Sequence, residues 1–127
     1  MIIVPFLTPA DFAQLLANGR RTAAGEQIDP VPVVKLFTPD AAATWLLTEI
    51  DPAEPDRAFG LCDLGLSEPE LGYVSLSELG SIRGMLNLPI ERDALFVGTA
   101  PLSRYASAAR ASGIIVEMPD NPSTPEP

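Results

Sequence analysis

The sequence predicts an α+β fold, a small antiparallel meander of three to five strands packed with about three helices. Three observations lead to it. Val33-Val34-Lys35-Leu36-Phe37 and Thr44-Trp45-Leu46-Leu47-Thr48-Glu49-Ile50 are β-branched and aromatic runs on either side of the turn-forming Thr38-Pro39-Asp40-Ala41-Ala42-Ala43, which is the pattern of a hairpin. Thr8-Pro9-Ala10-Asp11 and Ser75-Leu76-Ser77-Glu78 are helix-start signatures. The 127 residues are 46% hydrophobic, so a chain that buries roughly two-thirds of its unfolded surface needs neither disulfide nor metal to hold a core.

At the first start Thr8 caps, Pro9 suits the first helical position, Asp11 complements the helix dipole, and Leu7 is placed to staple onto Phe12. Phe12, Leu15 and Leu16 share one face, and Asn18-Gly19 reads as the left-handed stop. Arg20 to Val31 is then expected as a polar connection, ending in the extended Asp29-Pro30-Val31-Pro32. After the hairpin, Ala58 to Asp63 forms a third strand and Gly72-Tyr73-Val74 a shorter fourth. The second helix starts at Ser75, with Leu76, Leu79, Ile82 and Leu86 inward. Gly80 and Gly84 each weaken it by about 1 kcal/mol relative to alanine, so it should be short. Leu95-Phe96-Val97 is expected as a last strand. Leu102 to Ser112 forms a third helix, with Leu102, Tyr105 and Ala109 inward and Gly113 closing it. Residues 1 to 117 read as a single domain. The tail 118 to 127 holds four prolines in ten residues without apolar periodicity and is expected to be disordered.

The chain carries 17 acids against 8 bases, a formal charge of −9. Residues 1–39 sum to 0, residues 40–80 to −8 and residues 81–127 to −1, so the negative potential belongs to the middle third. Such a surface repels phosphate backbones. Lys35, Arg83, Arg92, Arg104 and Arg110 form no run and Arg20-Arg21 is the lone doublet, so no direct nucleic-acid binding is expected. A solvated acidic face that keeps the protein soluble is the plainest account of the charge. No apolar run approaches the roughly 18 residues of a membrane span. MIIVPFL lacks a basic lead and a cleavage site, and the expected location is the cytoplasm.

The chain has no histidine, which excludes Ser-His-Asp, Cys-His and HExxH mechanisms. Cys62 is the lone cysteine, so no intramolecular disulfide or Cys-rich zinc site exists. Ser75 and Ser77 are accounted for by capping and lack an activating base. The glycines of Asp63-Leu64-Gly65-Leu66 and Leu71-Gly72 fit neither G-x-G-x-x-G nor the Walker pattern, and no cofactor is expected.

The blocks Val33 to Pro39, Ala43 to Glu49, Phe59-Gly60-Leu61-Cys62-Asp63-Leu64-Gly65 and Glu70-Leu71-Gly72-Tyr73-Val74-Ser75-Leu76, in this order, resemble the bacterial family catalogued as domain of unknown function 2958, over about residues 6 to 113. Its members are often met on plasmids, prophages and integrative elements, which implies a role in transfer, maintenance or evasion of host defence. The family supplies no catalytic residues to carry over.

Carboxylates are what remains for chemistry. Glu49, Asp63 and Glu70 could offer oxygen ligands to magnesium or manganese. In a meander, however, Glu49 falls near Phe59 and Asp63 near Trp45, about 13 Å apart at 3.3 Å per residue. Asp40 in the hairpin loop, Asp63 at a strand end and Glu68 and Glu70 in the next loop fall at one rim of the sheet. Exposed turn carboxylates are one reading of that rim. An acidic docking surface for a basic protein is the leading functional one, with mimicry of nucleic-acid phosphates as a form that needs rows of exposed carboxylates. The alternative is a carboxylate-dependent divalent-metal enzyme acting on a nucleotide or nucleic acid. By alternation Trp45 shares a face with Leu47 and Glu49, leaving Thr44, Leu46, Thr48 and Ile50 on the other, and core packing is its default role.

Overall fold

The two start signatures and the hairpin lead into eight elements in the computed structural model, which describes residues 4–117. They are α1 (Pro9–Ala23), β1 (Val34–Phe37), β2 (Thr44–Ile50), β3 (Arg57–Asp63), β4 (Glu70–Ser75), α2 (Leu76–Ser81), β5 (Glu91–Arg92) and α3 (Leu102–Ser112). The strands form one antiparallel sheet in the order β4-β3-β2-β1-β5. This is the α+β class that the sequence predicts. The tail 118–127 lies outside the described residues. Among those described, no helix is long and apolar enough to cross a membrane.

The sheet is covered on both faces, and β2, its central strand, is therefore buried almost throughout. On one face Leu15 of α1 and Leu76 and Leu79 of α2 pack with Leu36, Trp45, Leu47 and Ile50. On the other, Leu102, Tyr105, Ala106 and Ala109 of α3 pack with Leu46 and Leu61. Tyr105 is fully buried, and its hydroxyl accepts from the Thr99 backbone N–H at 3.0 Å, which satisfies the polar end of an otherwise apolar ring. Gly113 closes α3 in the left-handed region at φ 79°, as expected from its place after the last apolar turn.

The helix stop expected at Asn18-Gly19 is not a stop. α1 runs on to Ala23 because these two residues are where the helix seats on β2. A Cβ on Gly19 would overlap the Ile50 carbonyl oxygen and lie 2.8 Å from its carbon, so hydrogen alone fits between helix and strand. Asn18 is buried and its Nδ2 donates to the Thr48 carbonyl at 2.9 Å. That carbonyl needs a partner because β2 bulges there. Leu47 faces Gly60 and Glu49 faces Phe59, leaving Thr48 unopposed in the ladder. The bulge also corrects the expected alternation, since after the extra residue Ile50 joins the face of Trp45 and Leu47. The helix ends instead at Ala24, whose N–H donates to Arg20, with Gly25 beyond it at φ 92°.

Two further expectations are corrected. Leu95 to Val97 is no strand: Asp93 opens a turn there, its Oδ1 accepting from Leu95 N–H and its carbonyl from Phe96 N–H. The last strand is Glu91–Arg92, starting four residues earlier, on the outer side of β1. α2 ends at Ser81, and Leu86, expected inside, is 74% exposed. Arg83 donates to the carbonyls of Gly80 and Ile82, occupying acceptors that a longer helix would have used.

β5 is short, and an ion pair ties it to the start of α1. Arg92 meets Asp11 through Nε at 2.5 Å and NH2 at 3.1 Å. Asp11 also completes a capping box with Thr8, accepting from its N–H while the Thr8 hydroxyl accepts from the Asp11 N–H. Burial pushes the Asp11 carboxyl up, but Arg92 and the Thr8 donors outweigh it and hold the pKa below its ordinary 3.8.

Two outcomes follow for stability. Alanine in mid-helix normally gains about 1 kcal/mol over glycine, whereas Gly19→Ala is expected to lose about 1–3 kcal/mol, the cost of overpacking, in urea unfolding. Because the Asp11 pKa is depressed in the folded state, its contribution is present above the unfolded value and fades as pH falls through the folded one. Asp11→Asn should therefore weaken the protein at neutral pH and flatten its loss of stability on going to about pH 3, as read by denaturant midpoints.

Candidate functional site

The ladder register sets Asp63 opposite Thr44 and Glu70 opposite Cys62, so the strand ends and loops that carry the acidic rim do lie at one end of the sheet. Their side chains part company there. Asp63 is 4% exposed, with Oδ1 accepting from Gly65 N–H at 2.9 Å and Oδ2 from Ile115 N–H at 3.2 Å. It pins the β3–β4 loop to the segment after α3. Asp40 Oδ2 accepts from Leu86 N–H at 2.7 Å and Leu88 N–H at 3.3 Å, and so gathers the loop after α2 onto the hairpin turn. Its Oδ1 is buried beside Gly84, where a Cβ would overlap it, and has no hydrogen-bond partner among the described residues. Glu68 and Glu70 remain exposed.

Glu49 stands opposite Phe59, at the other end of β2 from Asp63, and its carboxylate accepts from the Thr22 hydroxyl at 2.9 Å. Among the described residues, no three acidic or thiol side chains converge where they could hold a metal ion.

Two acids outside the expected rim shape the surface. Asp56, in the turn before β3, reaches the start of α2. Its Oδ2 accepts from the hydroxyls of Ser75 at 2.6 Å and Ser77 at 3.0 Å, and its Oδ1 from Ser77 N–H at 2.8 Å. The Ser75 hydroxyl and then the Ser77 N–H hold its carboxyl below the ordinary carboxylate range. Ser75 Oγ in turn accepts from Glu78 N–H, as the capping signature predicts, and the Glu78 residue stays exposed. Nothing local in Asp51-Pro52-Ala53-Glu54-Pro55-Asp56 distinguishes Asp56 from its neighbours, because its partners Ser75 and Ser77 arrive from the junction of β4 and α2.

Beside this turn a groove of about 480 Å³ opens between α2 and β4. Trp45, buried in the core to within 1%, reaches its floor; Val74, Leu79 and Ile82 form its apolar sides and Leu64, 60% exposed, its rim. On β4 the residue facing this side between Glu70 and Val74 is Gly72, and a Cβ there would meet nothing within 4 Å. Cys62 lies opposite Glu70 on the same face. Burial first, and the Glu70 charge second, push its thiol up to about 11. The other face of β4 carries Leu71 and Tyr73, 41% and 52% exposed, with the Tyr73 ring edge-on to Phe59 and the Arg57 guanidinium 3.8 Å above it.

A five-stranded antiparallel sheet with helices on both faces, an unpaired β4 edge and a groove beside α2 defines a small α+β protein. Residues 6–116 match the model of the family described as Protein of unknown function (DUF2958), and the chain belongs to that family. No curated protein and no solved structure matches it.

A thiol with its pKa near 11 is almost wholly protonated at pH 8. Cys62 should therefore react with iodoacetamide at least about tenfold more slowly than a free cysteine at that pH. Glu70→Gln should speed the reaction without altering the fold, as followed by mass spectrometry of the modified protein.

Proposed function

We propose that the protein is a non-enzymatic interaction factor, an accessory of a mobile element, that offers the acidic surface of residues 40–80 to a basic protein. The observation that carries this is where the charge is left over. The middle third holds nine acids and Arg57 as its one base. Arg57 itself lies over Tyr73. The ion pairs Arg21–Glu26, Lys35–Asp93, Lys35–Glu117 and Arg92–Asp11 all use acids from outside that segment. Glu68, Glu70 and Glu78 face solvent, so the surplus field extends outward, where it speeds association with an oppositely charged surface and weakens with salt. The chemistry of the chain agrees with a binding role: it has no histidine, and its thiol is held protonated at neutral pH. Phosphate mimicry draws less support, since Asp40 and Asp63 spend their oxygens on backbone N–H groups and do not add to a row of free carboxylates. The assignment to a mobile element leans on the resemblance of the sequence blocks alone.

Reversing Glu68 and Glu70 to lysine tests the surface, because neither side chain supports the core. Immobilised protein exposed to lysate of its native host at about 0.05 M salt should retain a basic protein that about 0.5 M salt releases. The doubly reversed protein should lose at least about tenfold of that capture. Retention by both proteins that is indifferent to salt would contradict an acidic docking surface.

A further inference from the structure

We propose that the outer edge of β4 accepts an extended basic segment of the partner as a sixth strand, with a lysine or arginine of that segment lying in the groove beside Gly72, between Glu70 and Glu78. Resting on the acidic-surface reading above, it adds the mode of recognition and the residues that carry it.

β4 is an edge strand of six residues in unbroken register with β3. The Arg57 carbonyl points toward β2, where it accepts from Asp51 N–H at 2.9 Å. Alternation along an antiparallel ladder then turns Gly60 toward its partner Gly72, and turns the N–H and C=O groups of Leu71 and Tyr73 outward. Proteins usually blunt such an edge with proline, a bulge or a covering element. β4 has no proline and no bulge, and among the described residues no strand pairs with its outer side. The edge is thus a template for main-chain pairing of the kind used in β-augmentation, with specificity supplied by pockets for alternate side chains.

Such a pocket is present on one side. A strand laid along β4 would direct alternate side chains past Gly72, where a Cβ would meet nothing within 4 Å, on the face that carries Glu70 and Val74; Val74 lines the groove together with Trp45, Leu79, Ile82 and Glu78. That combination suits an aliphatic stem ending in a cation. On the opposite side Leu71 presents apolar surface and Tyr73 carries the Arg57 guanidinium 3.8 Å over its ring, so the intervening residues of the segment are uncharged ones. A second copy of the chain is the poorer occupant. Pairing β4 with itself would juxtapose two copies of the −8 segment, and like charges brought together in this way are destabilising.

The test uses fluorescently labelled peptides and the full chain at low salt, followed by anisotropy. One peptide alternates lysine with threonine; the other alternates lysine with proline, carrying the same charge with half of its backbone donors removed. The first should bind at least about tenfold more tightly. Leu71→Pro, which removes an outward donor and leaves the ladder to β3 intact, should weaken it about tenfold. Gly72→Val, whose Cβ would meet nothing within 4 Å and whose methyls would occupy the space beside the edge, should weaken it as well, and serves where the proline variant lowers the melting temperature. Equal binding of both peptides overturns the strand-addition proposal and leaves the acidic surface standing. Failure of both peptides to bind at low salt overturns both.

Discussion

The contact on which the rest of the structure depends is the seat of α1 on β2, where Gly19 lets the helix touch the Ile50 carbonyl and Asn18 caps the carbonyl that the Thr48 bulge exposes. A buried carbonyl without a donor would cost about 1–3 kcal/mol, and one asparagine removes that cost while setting the helix in register. The bulge also returns Ile50 to the face of Trp45 and Leu47, so one core is completed around α1 while Leu46 and Leu61 are left to face α3. With both faces of β2 and β3 covered, the sheet leaves its ends and its outer edges to solvent.

Which carboxylates are available follows from that arrangement. Acids nearest the loops that must be held become internal fasteners: Asp40 holds the loop after α2, Asp63 holds the β3–β4 turn and Ile115, Asp56 caps α2, and Asp11 ties α1 to β5. The acids on and around the open edge, Glu68, Glu70 and Glu78, have no such duty and stay in solvent. One surplus of negative charge is therefore divided between internal fasteners and solvent-facing carboxylates, and it is the second group that gives the surface its field.

Much of this was legible in the residues. Local signals that stay local survive folding: β2 and α3 begin and end where their patterns do, and Thr8 and Ser75 cap as their spacing implies. Signals with two meanings were resolved by tertiary contact. Asn-Gly is a helix stop when solvated and a close-packing pair when a strand arrives, and nothing within α1 announces β2. Asp93 before an apolar triplet reads as strand by composition and as a turn by its own side chain. Asp40, Asp63, Glu68 and Glu70 are carried by loops and strand ends at one end of the sheet, because register follows from loop length. Their division into bonded and free carboxylates was hidden, because it depends on the backbone N–H groups of Leu86, Leu88 and Ile115, far along the chain.

Residue-resolved amide exchange of the native protein tests the central claim most directly, since it reads the seat and the edge in one measurement. The account predicts that the amides of α1 around Asn18 and Gly19 exchange together with those of β2 and β3 at the slowest, global rate, while the outward amides of Leu71 and Tyr73 exchange quickly. An α1 that opens well before β2, or an edge as protected as the sheet centre, would contradict it.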